Sequence, residues 1–160
     1  MMVRMPKSEA LREGFIIHQA RPSNESINGT LRMGRIFFVL GALSAFIGVV
    51  AGAFGTHSLE GRMTAEMLKI FEVGVRYQMY HAFALLAAGW AHEKWPSSLV
   101  TAGGWLFVIG TVLFSGSLYT LSMSGVSWLG AITPLGGLAF LSGWLCLAWA
   151  VWRWRANRSR

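Results

Sequence analysis

Charge is what this chain has least of. Between Trp95 and Trp152 there is no Asp, Glu, Lys or Arg, and charged residues are 13% of the 160 against 54% hydrophobic. An average soluble domain carries about twice that charged fraction. No soluble core needs an uncharged run of such length, so the run is expected to cross lipid more than once. Cysteine is nearly absent as well: Cys146 stands alone in the last apolar segment. A lone thiol excludes an intrachain disulfide, a paired-cysteine redox motif and a thiolate metal site, and Cys146 itself reads as a small apolar residue. There is no helical His-x-x-x-His pair, no paired intramembrane carboxylate and no glycine-rich phosphate loop, which leaves metal and nucleotide binding without a motif. FSGSLY, residues 114 to 119, is not a nucleophile elbow. No carboxylate in the apolar segments could orient a histidine beside it, so hydrolase chemistry is not expected. No cofactor, metal or catalytic residue is assigned, and enzymatic activity is not expected.

The net charge of +7 collects beside apolar segments at the two ends, without basic and aromatic residues interleaved along a surface. Nucleic acid is therefore not an expected partner; the lipid bilayer is.

Residues 1–32 are polar and mixed in charge, with Pro6 and Pro22 and no hydrophobic period, and read as a disordered extension. Met33 offers an alternative start to a compact protein opening MGRIFFVLGAL. The membrane domain is placed at 33–152 and a basic cytoplasmic tail at 153–160. The first span is expected over about Ile36 to Phe54, following Arg32 and Arg35. Ala51-Gly52-Ala53 resembles a signal-peptide cleavage site, but further apolar segments follow and the small residues have another use. Gly41, Ala45, Gly48, Gly52 and Gly55 recur at spacings of four, three, four and three, drawing one small-residue seam along a helix. Such a seam lets another helix approach closely, in this chain, in a second copy or in a membrane-complex partner.

Residues 62–76 alternate at helical period. Arg62, Glu66, Lys69, Glu72 and Arg76 share one arc, while Met67, Leu68, Phe71 and Val75 share the opposite one. This predicts a short amphipathic helix on the membrane surface. A second span follows over Tyr77 to Ala91, short enough to suit a helix that continues from the interfacial one or enters tilted, then a polar connection His92-Glu93-Lys94-Trp95-Pro96, a third span over Leu99 to Leu118 and a fourth over Leu129 to Val151. Trp90, Trp95, Trp128, Trp152 and Trp154 lie near segment ends, as interfacial anchors do. With both termini cytoplasmic, eleven Lys and Arg fall on that side and three, Arg62, Lys69 and Arg76, on the other. The positive-inside bias thus predicts an all-α inner-membrane protein with four transmembrane helices.

That topology brings the end of span one, the start of span two, the end of span three and the start of span four to one face. His57, Tyr77, Gln78, Tyr80, His81, Ser115, Ser117, Tyr119 and Thr133 are then expected level with one another in the outer half, beside Pro134. Gln78 lies among the apolar positions of its helix, where it needs an interhelical hydrogen bond of about 1 kcal/mol. Three uses of the cluster stay open: a hydrogen-bond network that fixes how the helices meet, a small-molecule, quinone or ion site, and a metal or haem site using His57 and His81. The first is preferred, because two histidines alone make a weak ligand set.

Four ordered motifs carry a resemblance: GAFGTHSL at 52–59, GVRYQMYHAFALL at 74–86, GTVLFSGSLYTL at 110–121 and ITPLGGLAFLSGW at 132–144. Together they resemble the small membrane proteins catalogued as domain of unknown function 423, a family that includes relatives of animal transmembrane protein 256. The resemblance runs from about Met33 to Trp152 and implies a four-helix integral membrane protein, with no implied activity, cofactor or catalytic residue. Thr56 stands where the family commonly has a small apolar residue, and residues 1–32 have no counterpart. The function expected is a structural or accessory membrane role; the alternative is a small transporter or cofactor-binding protein using His57 and His81.

Overall fold

A computed structural model describes residues 24–158 as an all-α bundle. Residues 1–23, most of the extension expected to be disordered, lie outside the described residues. Helix α1 spans Asn24–Phe54, so the extension is helical from 24 onward, and a π turn at Gly55–Leu59 follows. The chain reverses through Gly61, whose φ of 81° suits only glycine without strain. Helix α2 spans Ala65–Lys94; Thr64 caps it, its hydroxyl accepting from the Met67 N–H at 3.2 Å. Trp95 and Pro96 end it, since proline has no N–H to continue the ladder. Helix α3 spans Ser98–Ser124, capped by Ser97 and stopped by Gly125 in the left-handed region. A 3₁₀ turn at Ser127–Ala131 leads into α4, Thr133–Arg158, with Pro134 in the opening turn where a missing N–H is harmless.

Three stretches, Arg32–Leu59, Ser98–Ser124 and Ser127–Trp154, are long and apolar enough to cross a membrane. At 1.5 Å per residue each is about 40 Å long, beyond the roughly 30 Å of hydrocarbon. Helix α2 is not of that class, because Glu66, Lys69, Glu72 and Arg76 occupy its first half. The amphipathic stretch and the short apolar segment expected after it lie on one continuous helix, the continuation that the segment's shortness suits. No proline falls between Ala65 and Lys94, and the helical period runs on unbroken as the polar arc gives way to apolar residues.

Helix α1 packs along α2, α2 along α3, and α3 along α4. Phe37 carries α1 onto α3, its ring 5.8 Å from that of Trp105, while Phe140 carries α4 onto α2. Phe37 and Phe140 join Ala84, Leu85 and Phe107 in the main core, and Ala91, Val100 and Ala150 form a smaller one about two turns further along α2.

The two hairpins, α1 with α2 and α3 with α4, are built on the same contacts. Gly34, Phe38 and Gly41 in α1 recur at identical spacing as Gly103, Phe107 and Gly110 in α3. Likewise Ala82, Leu86 and Gly89 in α2 recur as Gly136, Phe140 and Gly143 in α4. A Cβ on Gly34 would lie 3.1 Å from the Gly89 carbonyl oxygen, and one on Gly89 2.8 Å from that of Gly34. Gly103 and Gly143 repeat this reciprocal approach at 3.1 and 3.2 Å. Gly41 comes down on the Ala82 carbonyl and the Leu86 side chain, and Gly110 on the Gly136 carbonyl and the Phe140 ring. Backbones this close exclude any side chain, the arrangement that small residues permit where hydrocarbon supplies no hydrophobic drive.

A Cβ on Gly136 would lie 2.5 Å from the Phe114 backbone nitrogen, whereas one on Gly116 meets nothing within 4 Å. Gly136→Ala is therefore expected to destabilise by about 1–3 kcal/mol, and Gly116→Ala to leave stability level or slightly raised. Thermal unfolding of the two variants in the same detergent, followed by size-exclusion fluorescence, reads the difference.

Candidate functional site

Gln78 is a polar residue that the fold buries almost completely. The 3.6-residue period turns it onto the apolar side of α2, where it is 5% exposed between α1 and α3. Its Nε2 donates to the Ser44 carbonyl oxygen of α1 at 2.9 Å, and its Oε1 accepts from the Tyr119 hydroxyl of α3 at 2.8 Å. One amide thus ties three helices. Tyr119 is held over Gly74, where a side chain on α2 would meet its ring, and lies 4.9 Å from the Phe71 ring.

Three residues further on, His81 turns to a different neighbour. Its Nδ1 donates to the Tyr77 carbonyl at 2.8 Å, a bond that requires the proton on Nδ1 because a carbonyl can only accept. The imidazole stacks on Phe140 of α4 with centroids 3.3 Å apart and planes 5° from parallel. Tyr77 stacks on its other flank and contacts Phe114 of α3. A lipid-side hollow of about 600 Å³ opens here among Tyr77, His81, Phe114, Phe140 and Trp144.

The remaining cluster members separate. Ser117 and Thr133 share a hydrogen bond at 2.9 Å that joins α3 to the start of α4, and Ser117 also donates to the Phe114 carbonyl. Tyr80 is exposed, with its ring 6.0 Å from that of Tyr77. His57 is exposed on the π turn, and among the described residues no hydrogen bond or ring contact joins it to His81. Nor do the described residues hold a group of three or more His, Cys, Asp or Glu placed to share a metal ion. Ser115 is 1% exposed and its hydroxyl has no partner; the Ser44 hydroxyl and His92 Nδ1 are likewise buried and unpartnered. His92 falls in the segment expected to be a polar connection, yet α2 extends through it and the Phe37 ring covers its edge at 6.5 Å. Ser44 is absent from the sequence-derived cluster because it sits mid-helix in α1, away from any segment end.

The glycine seam of α1 is occupied within the chain. Gly41, Gly48 and Gly55 face Leu86, Met79 and Phe71 of α2, Gly52 touches Val75, and Ala45 is half-buried.

A bundle with three membrane-length apolar helices and buried polar ties between them defines a multi-pass membrane protein. The family model described as "Protein of unknown function (DUF423)" matches residues 51–137. The UPF0382 membrane protein YwdK of Bacillus subtilis is 46% identical over 114 residues, covering 71% of this chain and 93% of that protein. A UPF0382 membrane protein of Staphylococcus epidermidis is 47% identical over 113 residues, 71% of this chain and 92% of its own length. One from Staphylococcus aureus is 42% identical over 119 residues, 74% and 97% respectively. The chain belongs to the DUF423/UPF0382 family. No solved structure gives a significant match.

Removing the Gln78 amide strands the Tyr119 hydroxyl away from water. Gln78→Leu and Tyr119→Phe are each expected to destabilise by about 1 kcal/mol, and the double variant by less than their sum, with a coupling of about 0.6 kcal/mol. Unfolding of the full cycle in one detergent and at one protein concentration measures it; additive effects would mean that the bond contributes nothing.

Proposed function

We propose that the chain is a four-span accessory protein of the bacterial cytoplasmic (inner) membrane, with both termini inside, that works by packing against other membrane components and not by turning over a substrate. The observation that carries the topology is the equivalence of the hairpins. Helix α2 meets α1 through the same reciprocal glycine contact by which α4 meets α3, which supports α2 lying at the depth of a spanning helix from about Tyr77 to Ala91. The charges of its first half then stand at the outer surface, and the eleven-to-three split of Lys and Arg supports the same orientation. An accessory role is supported by how the buried polar side chains are used. Gln78, Tyr119, Ser117 and Thr133 direct their hydrogen bonds at neighbouring helices. The rival reading, a transporter or haem protein using His57 and His81, lacks a contact between those two residues.

Single cysteines introduced in a Cys146→Ala background test the topology. Ser58→Cys and Thr120→Cys should react with an impermeant maleimide added to whole cells, and Lys94→Cys only after the membrane is opened. Labelling at 94 from outside would overturn the orientation.

The packing role is read by photocrosslinking in native membranes from the outward-facing Leu141, which is 63% exposed. A discrete adduct with a second copy or another membrane protein is expected. Adducts with lipid alone would count against the accessory reading.

A further inference from the structure

The glycine contact joins the helices within each hairpin, and a second face joins one hairpin to the other. On α3 that face holds Ser115, Leu118 and Tyr119: Ser115 is 1% exposed, Leu118 and Tyr119 close over Gly74 of α2, and the Tyr119 hydroxyl donates to Gln78. At the spacing that equates α3 with α1, the same positions are Phe46, Val49 and Val50, which stand 67%, 63% and 53% exposed. On α2 the face holds Gln78, His81 and Leu85, all buried, with the His81 ring 5.7 Å from that of Phe107 on α3 and Leu85 in one core with it. At the spacing that equates α2 with α4, these become Ile132, Leu135 and Ala139. Leu135 is 58% exposed and the other two are half-buried. Backbone angles at Ile132 are already helical, φ −78° and ψ −32°, so the correspondence holds there. Helices α1 and α4 stand at the two ends of the packing order. Each presents to lipid the face that its counterpart buries inside the chain.

We infer that α4 of one chain docks on α1 of a second copy in the way that α2 docks on α3 within the chain. The two open faces are the two halves of one contact, since α4 carries the counterpart of the α2 side and α1 the counterpart of the α3 side. A second copy therefore covers both, which neither a lipid nor an unrelated helix does. Orientation agrees. Copies in one membrane share a topology and differ by rotation about the membrane normal, so α4, running inward, meets α1, running outward, antiparallel. Helices α2 and α3 meet in that sense too. The chemistry of the faces also fits. Where the intrachain contact has the Gln78 and Tyr119 tie, the open faces have Ile132 and Val50. Their meeting buries no unpaired polar group and rests on van der Waals fit alone, as a contact between separately inserted chains can. Because the faces differ, the contact is head-to-tail, and it repeats from copy to copy until a ring closes. This deepens the accessory role by naming its partner, and it rests on the four-span topology, which takes α1 and α4 across the membrane in opposite directions.

Two differently tagged full-length copies, co-expressed, test it. One carries a photoreactive benzoyl-phenylalanine in place of Phe46, an aromatic for an aromatic at an exposed position. After irradiation of native membranes, an adduct carrying both tags is expected, and mass spectrometry should map it to residues 132–142 of the second copy. Leu135→Ala in that second copy removes apolar surface from the meeting face and little from the monomer. It should lower the adduct yield several-fold without shifting thermal unfolding of the chain in detergent. An adduct that maps to α1 of the second copy would overturn the head-to-tail contact. Adducts from Phe46 with a different membrane protein alone would overturn the second copy as partner and leave the accessory role standing. Lipid adducts alone from Phe46 would overturn the docking; lipid adducts alone from Leu141 as well would remove the accessory role with it.

Discussion

Close backbone contact is the constraint on which this structure depends. Lipid tails are as apolar as leucine, so burying leucine between helices gains little, and association rests on van der Waals fit and hydrogen bonds. The reciprocal contacts of Gly34 with Gly89 and of Gly103 with Gly143 supply that fit in each hairpin. Phe37 and Phe140 then fill the room made by glycines on the central helix α3, the first over Gly104 and the second over Gly110. The join between hairpins is made differently. There Tyr119 reaches across to Gln78, and Gln78 in turn holds α1 by the Ser44 carbonyl, so a polar tie fixes the register that glycine contacts alone would leave free to slide.

Much of this was legible in the residues. The charge-free stretch after Trp95 and the run from Ile36 exposed the membrane segments, because the cost of a charge in hydrocarbon leaves a visible gap. The four-three spacing of Gly41, Ala45, Gly48, Gly52 and Gly55 revealed a seam, since helical period is a property of sequence alone. Which helix fills the seam was not legible, as any close surface would satisfy it; the structure gives it to α2. That the surface helix continues into the short segment after it was legible in that segment's length; where one ends and the other begins is not something charge can tell. Charge reports which solvent a side chain meets, and a helix without a breaker crosses from one solvent to the other intact.

The polar cluster shows the same limit more sharply. Topology can bring residues to one level of a bundle, but level is not contact. Gln78 and His81 are less than one turn apart, yet that spacing turns one toward α1 and α3 and the other toward Phe140 on α4. His57 shares their end of the chain's spans and remains exposed. Ser44 could not be recovered from segment ends at all. Its importance comes from its backbone carbonyl, which accepts from Gln78 of the neighbouring helix, a contact that no single-helix pattern contains.

Comparison of the two hairpins separates what packing needs from what it does not. At the spacing that equates α1 with α3, Ser115 and Tyr119 correspond to Phe46 and Val50; at that equating α2 with α4, Gln78 corresponds to Ile132. The same glycine contacts therefore form with apolar residues at those places, and Phe46 and Val50 face outward, 67% and 53% exposed. Polarity at Gln78 and Tyr119 follows from the extra task of joining hairpin to hairpin. Ser115 has no such task, because its hydroxyl joins nothing.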